Sequence, residues 1–285
     1  MLFRSGVQLR RVGSAKSVPV LASVLGDGPL GHAVLHALEG MDCPEAAAAL
    51  RDALPHATGQ LRIGLVDALG RRRDAEAVAV IAPLLTGVDP GLGASAAAAL
   101  GRIGGADATQ TLRAALNAAQ EADRALIQEA LLRCAAGMRA AGQAEASAAL
   151  CQELLGKAAN PGLRSAFWRE LVGADAANRP SLVSDALAGT DPALRQASAG
   201  ILRELGAEPG VLAACDARWT QLVPACRLAL LEARLRDPGS ALPAVLRAAQ
   251  DESLDVRIAA WEALAVVNDP ATVPALAHAA ANGEP

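Results

Sequence analysis

The chain has 285 residues, 52% hydrophobic, 20% charged and 2% aromatic with no Tyr, which excludes a polar disordered chain and a collagen-like one. Ala and Leu dominate while β-branched and aromatic residues are sparse, which argues for helices and against a β-sandwich or barrel. A formal net charge of −4 offers no electrostatic footprint for a phosphate backbone, so nucleic acid is not an expected partner.

Taken in chain order, the opening Met1-Leu-Phe-Arg-Ser-Gly lacks an uninterrupted apolar run, and no uncharged apolar stretch of spanning length follows. A cytoplasmic protein without a membrane partner is expected. From Gly31 the sequence repeats. GHAVLHALEGM at Gly31, RIGLVDALGRR at Arg62, GASAAAALGRI at Gly93 and RALIQEALLRC at Arg124 each start 31 residues after the last. With the first residue as slot 0, slot 3 holds Val34, Leu65, Ala96 and Ile127, slot 7 holds Leu38, Leu69, Leu100 and Leu131, and slot 10 holds Met41, Arg72, Ile103 and Cys134. The 3, 7, 10 spacing is one face of a helix. The pattern resumes at Arg164, Arg195, loosely near Arg227, and at Arg257. The gap of 40 residues from Arg124 to Arg164 places about nine extra residues in a longer, irregular unit around 134–160. Between these helices lies a second one per unit, marked by Leu21, Leu50, Ile81, Leu112, Leu150, Leu182, Leu212, Val245 and Leu276. Asp-Pro at 89, 191, 237 and 269, and Gly70 and Gly101, read as start and stop signals. Neither helix can bury its apolar stripe alone, so residues 1–285 are expected to form one right-handed α-solenoid of about eight helical hairpins.

The units resemble HEAT repeats, and the Ala-rich form of about 31 residues is similar to the HEAT-like repeats first associated with phycobilisome lyases. DPALRQASAGILRELG (191–206) and DESLDVRIAAWEALAVV (251–267) carry the first-helix pattern of an acidic turn, Arg, then Ala and Leu at fixed offsets; VPVLASVL (18–25) and VPALAHAA (273–280) resemble the second helix. The resemblance implies that the slot 0 arginines (Arg62, Arg124, Arg164, Arg195, Arg257) form a structural ladder with turn acids such as Asp89, Asp191 and Asp255 and with helix-end carbonyls. It also implies a concave face lined by second helices, where the column after each marker offers Arg51, Asp52, Arg113, Gln152, Ser184, Arg247 and His278 to a protein or peptide.

Signs of chemistry are few. His32 and His36 have a metal-ligand spacing, but other repeats fill these slots with residues suited to a solvated face. No His is followed by Glu, so the His-Glu metal motifs of HEAT-type deoxyhypusine hydroxylases are absent. Gly91-Leu-Gly93-Ala-Ser-Ala96 mimics a dinucleotide fingerprint without the strand it requires. Arg71-Arg72-Arg73 is the one basic run; it could dock a phosphate or acidic peptide, or be a frayed helix end beside a capping Asp74. Trp168 and Trp261 share slot 4, which indicates packing. The five Cys (43, 134, 151, 215, 226) lack CxxC spacing and are expected as reduced, mostly buried thiols. Near-exclusive use of Arg over Lys, with abundant Ala, fits the codon bias of a GC-rich bacterial genome.

These readings converge on a protein-binding scaffold without catalysis, metal or cofactor. The alternative is a bilin-lyase-like or chaperone-like groove for a chromophore or client; a HEAT-type DNA-repair glycosylase would need a basic cleft. Leu2, Val7 and Leu9 at one end and Val273, Leu276 and Ala280 at the other lack evident covers. The chain is therefore expected to be part of a longer repeat protein or to bury its ends in a homo-oligomer or partner.

Overall fold

The computed structural model describes residues 13–281 apart from 27, 88, 206–207, 268–269, 275–276 and 278–280, and apart from the side chains of 29, 205 and 271. The described residues are helical and contain no strand. Two compact units divide at Leu163 and Arg164.

In the first unit, helices α1 (Val18–Ser23), α3 (Pro44–Ala53), α5 (Val78–Ile81), α7 (Gly105–Ala118) and α9 (Ala144–Leu155) form one layer, and α2 (Gly28–Gly40), α4 (Gly59–Arg72), α6 (Pro90–Ile103) and α8 (Glu121–Ala140) the other. In the second unit, α10 (Pro161–Ala174), of which only the first few residues precede the division, is followed by α11 (Arg179–Ala188), α12 (Pro192–Leu205), α13 (Pro209–Asp216), α14 (Pro224–Arg234), α15 (Pro238–Ala248) and α16 (Leu254–Val267). Consecutive first helices pack side by side, as in α2·α4, α4·α6, α6·α8, α12·α14 and α14·α16, and each also packs on a second helix. Each unit is thus a row of hairpins in two layers, a stretch of α-solenoid.

Local chemistry explains the helix starts. Asp89 caps α6 by accepting from the backbone N–H groups of Gly91 (2.9 Å) and Leu92 (3.2 Å), with Pro90 at the first helical position. Asp191 does the same for α12 through Ala193 (2.9 Å) and Leu194 (3.3 Å), and Asn160 for α10 through Leu163 (2.8 Å). Asp237 precedes Pro238 but accepts from the Ser240 hydroxyl (2.7 Å) instead of a backbone group. Pro83, which has no N–H to donate, marks the point where α5 gives way to a 3₁₀ turn at Ala82–Leu84.

The slot 3 and slot 7 residues of the seven regular units are all buried, from Val34 and Leu38 to Ala260 and Leu264. Small side chains build this core by letting backbones approach. A Cβ on Gly70 would lie 2.7 Å from the Ala99 Cα, and one on Gly101 would lie 2.9 Å from the Ala130 Cα. Gly70 and Gly101 are therefore not stop signals: α4 continues to Arg72 and α6 to Ile103. Close packing selected them.

The longer unit has a simple source. α8 has 20 residues, against 14 in α4 and α6, and buried Gln128 on it anchors the loop ahead of α10. Its Nε2 donates to the Lys157 carbonyl (2.7 Å) and its Oε1 accepts from the Ala159 N–H (2.8 Å). No described helix is long and apolar enough to cross a membrane. Leu2, Val7, Leu9, Leu276, His278 and Ala280 lie outside the described residues or side chains, while Val273 is 61% exposed.

Candidate binding surface

The three arginines of the second-helix column expected to meet a partner are paired with carboxylates of neighbouring hairpins. Arg51 pairs with Asp74 (2.5 Å) and Glu76 (2.6 Å) of the next hairpin, Arg113 on α7 with Glu153 on α9, and Arg247 on α15 with Asp216 at the end of α13. Asp52 and Gln152 are exposed. Ser184 is a correction. It is 2% exposed and its hydroxyl donates to the Ser181 carbonyl (3.1 Å), because α11 buries Val183, while the expected marker Leu182 is only half-buried. The outward residue there is Asp185, paired with Arg218.

The slot 0 arginines form no uniform ladder. Arg164 pairs with Asp191 at 2.8 Å, Arg124 reaches the α7 end carbonyl of Leu116 at 3.5 Å, and Arg257 donates to the turn carbonyls of Asp251 (2.9 Å) and Glu252 (3.1 Å). Arg62 and Arg195 make no ion pair among the described residues. Asp89 is occupied as a helix cap and Asp255 is exposed. A ladder does run along the first helices, but at slots 5, 8 and 9. Glu39 meets Arg71 (2.6 Å), Asp67 meets Arg102 (2.8 Å), Arg169 meets Glu204, and Arg203 meets Glu232 (2.9 Å). The Arg169 hydrogen bond holds the Glu204 carboxyl below its ordinary value.

The remaining candidates resolve individually. Arg72 is no frayed residue. Its guanidinium donates to the carbonyls of Leu38 (3.0 Å), Glu39 (2.8 Å), Met41 (2.6 Å) and Cys43 (3.0 Å), closing the end of α2 in the preceding repeat. Asp74 caps the following 3₁₀ turn through the Glu76 N–H (3.2 Å). Gly91 and Gly93 lie in the first turn of α6, with no strand before them. Trp168 is buried and donates to the Ser198 hydroxyl (2.8 Å), while the buried Nε1 of Trp261 has no hydrogen-bond partner among the described residues. His32 is exposed and His36 half-buried; no group of three metal-ligating side chains occurs among the described residues. None of the five cysteines is in a disulfide, and four are buried. Burial pushes the Cys134 and Cys226 thiols up, and that of Cys215 to about 12.

Two polar constellations escaped the sequence. In the second unit, Arg227 is almost fully buried with Asp251. Its Nη1 donates to Asp251 Oδ1 (2.8 Å) and its Nε to the Trp219 carbonyl (3.2 Å), while the Trp219 indole donates to Asp251 Oδ2 (2.9 Å). Burial alone would lower the Arg227 value, but Asp251 and Glu252 outweigh it and hold the guanidinium above its ordinary value. Arg247 stacks 4.5 Å from the Trp219 ring centroid. The charges match, so this is a clasp between hairpins.

In the first unit, a groove of about 690 Å³ runs beside the α6–α7 turn and the extended end of α8. Arg73, Arg102 and Arg133 line it, and no carboxylate does among the described residues. Arg73 and Arg133 are exposed, and their guanidinium groups have no ion-pair or hydrogen-bond partner among the described residues. Arg102 gives one nitrogen to Asp67, and its Nε is buried without a hydrogen-bond partner among the described residues. Arg73 is the single non-glycine residue with positive φ among the described residues, at 53°, so the chain leaves α4 in a left-handed turn at the groove's edge. The basic run foreshadowed Arg73, but nothing local links it to Arg133, 60 positions on.

The family model for HEAT repeats matches residues 48–132 and 224–285. No curated protein matches the chain. Among structures, the chain is similar to a homology model of the full-length AP-3 complex in an intermediate open conformation (12% identity, 99% of this chain and 57% of that chain covered, TM-score 0.54). Also similar are human deoxyhypusine hydroxylase in complex with glycerol (21% identity, 89% and 96% covered, TM-score 0.40) and an engineered protein (17% identity, 89% and 79% covered, TM-score 0.39).

Proposed function

Because the chain belongs to the HEAT-repeat family, we propose that it is a non-catalytic scaffold that binds a protein partner, with the groove of the first unit as the principal contact. The observation that carries this reading is the contrast in how arginines are employed. Along both helix layers most guanidinium groups are tied to carboxylates of a neighbouring hairpin, whereas Arg73 and Arg133 face one open groove without a partner. Free charge beside apolar side chains such as Ile103 and Met138 suits recognition of a polypeptide. The buried thiols are held protonated, which makes them poor nucleophiles and supports the non-catalytic part of the reading.

The test is hydrogen exchange on the protein alone and on the complex recovered from its source cells. Slowed exchange at the end of α6, the start of α7 and the extended part of α8 is expected in the presence of a stoichiometric polypeptide. Protection confined to the second unit, or turnover of a small molecule by the purified chain, would overturn the reading.

A further inference from the structure

The groove's chemistry selects among possible partners. Three guanidinium groups line the groove with no carboxylate among the described lining residues, and with Arg102 paired to Asp67 the other two leave it locally positive on a chain whose net charge is −4. Among the described residues the Arg73 and Arg133 guanidinium groups are unpaired, while Arg102 is paired with Asp67 and keeps a buried Nε unbonded. The anion that completes the site must be larger than a single oxyanion. The cavity of about 690 Å³ falls in the range that holds a ligand of many atoms. Its lining alternates charge with Ile103, Met138 and Ala140, which need apolar or backbone contact to be covered. The turn at Gly104 and Gly105 carries no side chain, so a bound strand can reach the backbone directly. Arginine forks take carboxylates in paired hydrogen bonds.

We propose that this groove binds an acidic, extended peptide segment of a partner protein, with Arg73 and Arg133 taking carboxylates and the apolar strip between them taking the intervening side chains. The proposal rests on the scaffold reading for the source of the peptide, not for its chemistry.

The probe is a synthetic peptide of alternating Glu and Leu, compared by calorimetry with a Gln and Leu peptide of the same length, using the full chain at low and moderate salt. Binding of the acidic peptide alone, weakening at least about tenfold on raising salt from 50 to 200 mM, is expected. Arg73→Asn, which tolerates the left-handed backbone, and Arg133→Gln should each weaken binding several-fold, and together by about tenfold or more, with unchanged helical content. Arg236→Gln, at an exposed position in the second unit, should leave it unchanged. Equal binding of both peptides, or of the double variant, would overturn the proposal. So would displacement by inorganic phosphate at micromolar concentration, or tighter binding of a single-stranded oligonucleotide, each of which assigns the groove to another anion. If the acidic peptide binds as stated but no polypeptide protects the groove in the cell-derived complex, the scaffold reading fails while the groove chemistry stands. The reverse result fails the groove chemistry alone.

Discussion

At the scale of single residues, the arginines divide by what their donors meet, and Arg72 shows the consequence most directly. Four carbonyls at the end of α2 converge on its guanidinium, so a helix terminus that would need a cap within its own repeat is closed by the next one. Replacing Arg72 by Met restores the apolar residue typical of slot 10 but takes the guanidinium donor away from all four carbonyls, of which Leu38 alone keeps a backbone donor among the described residues, the Met41 N–H (3.4 Å). We expect Arg72→Met to cost about 2–3 kcal/mol, read as a lower urea midpoint, and Arg72→Lys to recover only part of it because an ammonium cannot span the fan. An unchanged midpoint would mean that water replaces the guanidinium. The cysteines make a second residue-scale statement. Cys43 is half-buried and the other four are buried, so a thiol reagent at pH 8 should label Cys43 first and the rest only on unfolding. The Cys215 thiol sits at about 12 in the fold against an ordinary 9.0. An acid whose value is raised by folding adds nothing while both states are protonated. It destabilises the fold as pH rises through 9 and the unfolded chain alone ionises. Stability should therefore be insensitive to this group below about pH 9 and fall between 9 and 12, less steeply in Cys215→Ala; a slope that Cys215→Ala does not alter would dissociate the thiol from the alkaline loss.

At the scale of helices, glycine and alanine set the spacing of the first-helix layer. Gly70 meets Ala99, and Gly101 meets Ala130 one repeat later, each with the backbone itself as the obstacle. Ala has the better helix propensity, and on a solvated helix face the change would stabilise. Here the added methyl must push two helices apart. Gly101→Ala is expected to destabilise by about 1–3 kcal/mol despite the propensity gain, and a thermal melt distinguishes the signs. Periodicity made the elements legible because slots 3 and 7 have one destination, the core between layers, and every regular unit buries them. The functions of Gly70, Gly101 and Ser184 were not legible for a physical reason. A glycine near a helix end has two uses, a left-handed turn or a close approach, and only the neighbouring helix decides between them. Likewise, Leu182 and Val183 are both apolar, so a single rotation of α11 by one residue takes Ser184 into the interior without leaving a trace in composition. The groove was hidden more deeply still. Arg73 and Arg133 come from different repeats, and what distinguishes them is the lack of a partner, a property of the packed surface.

At the scale of the whole molecule, contacts run from each hairpin to its neighbours, so a perturbation should stay near its origin. The buried clasp around Asp251 is the strongest place to test this. Asp251 accepts from Arg227, from the Trp219 indole and from the Ser253 N–H (3.0 Å), so it joins α14, the turn before it and the turn before α16. Asp251→Asn keeps the shape but leaves the Arg227 charge buried with only the exposed Glu252 carboxylate beside it. Removing one partner of a buried pair typically costs about 3–5 kcal/mol, far more than the pair contributes net. Hydrogen exchange should show faster opening in α13 to α16 by a comparable margin, while α4, α6 and α8 in the first unit keep their protection. Adding Arg227→Met to Asp251→Leu, which removes both charges together, should return much of the loss. Uniform loss of protection from α4 to α16 would show instead that the chain opens as one cooperative body, and nearest-neighbour energetics would then be the wrong description of this solenoid.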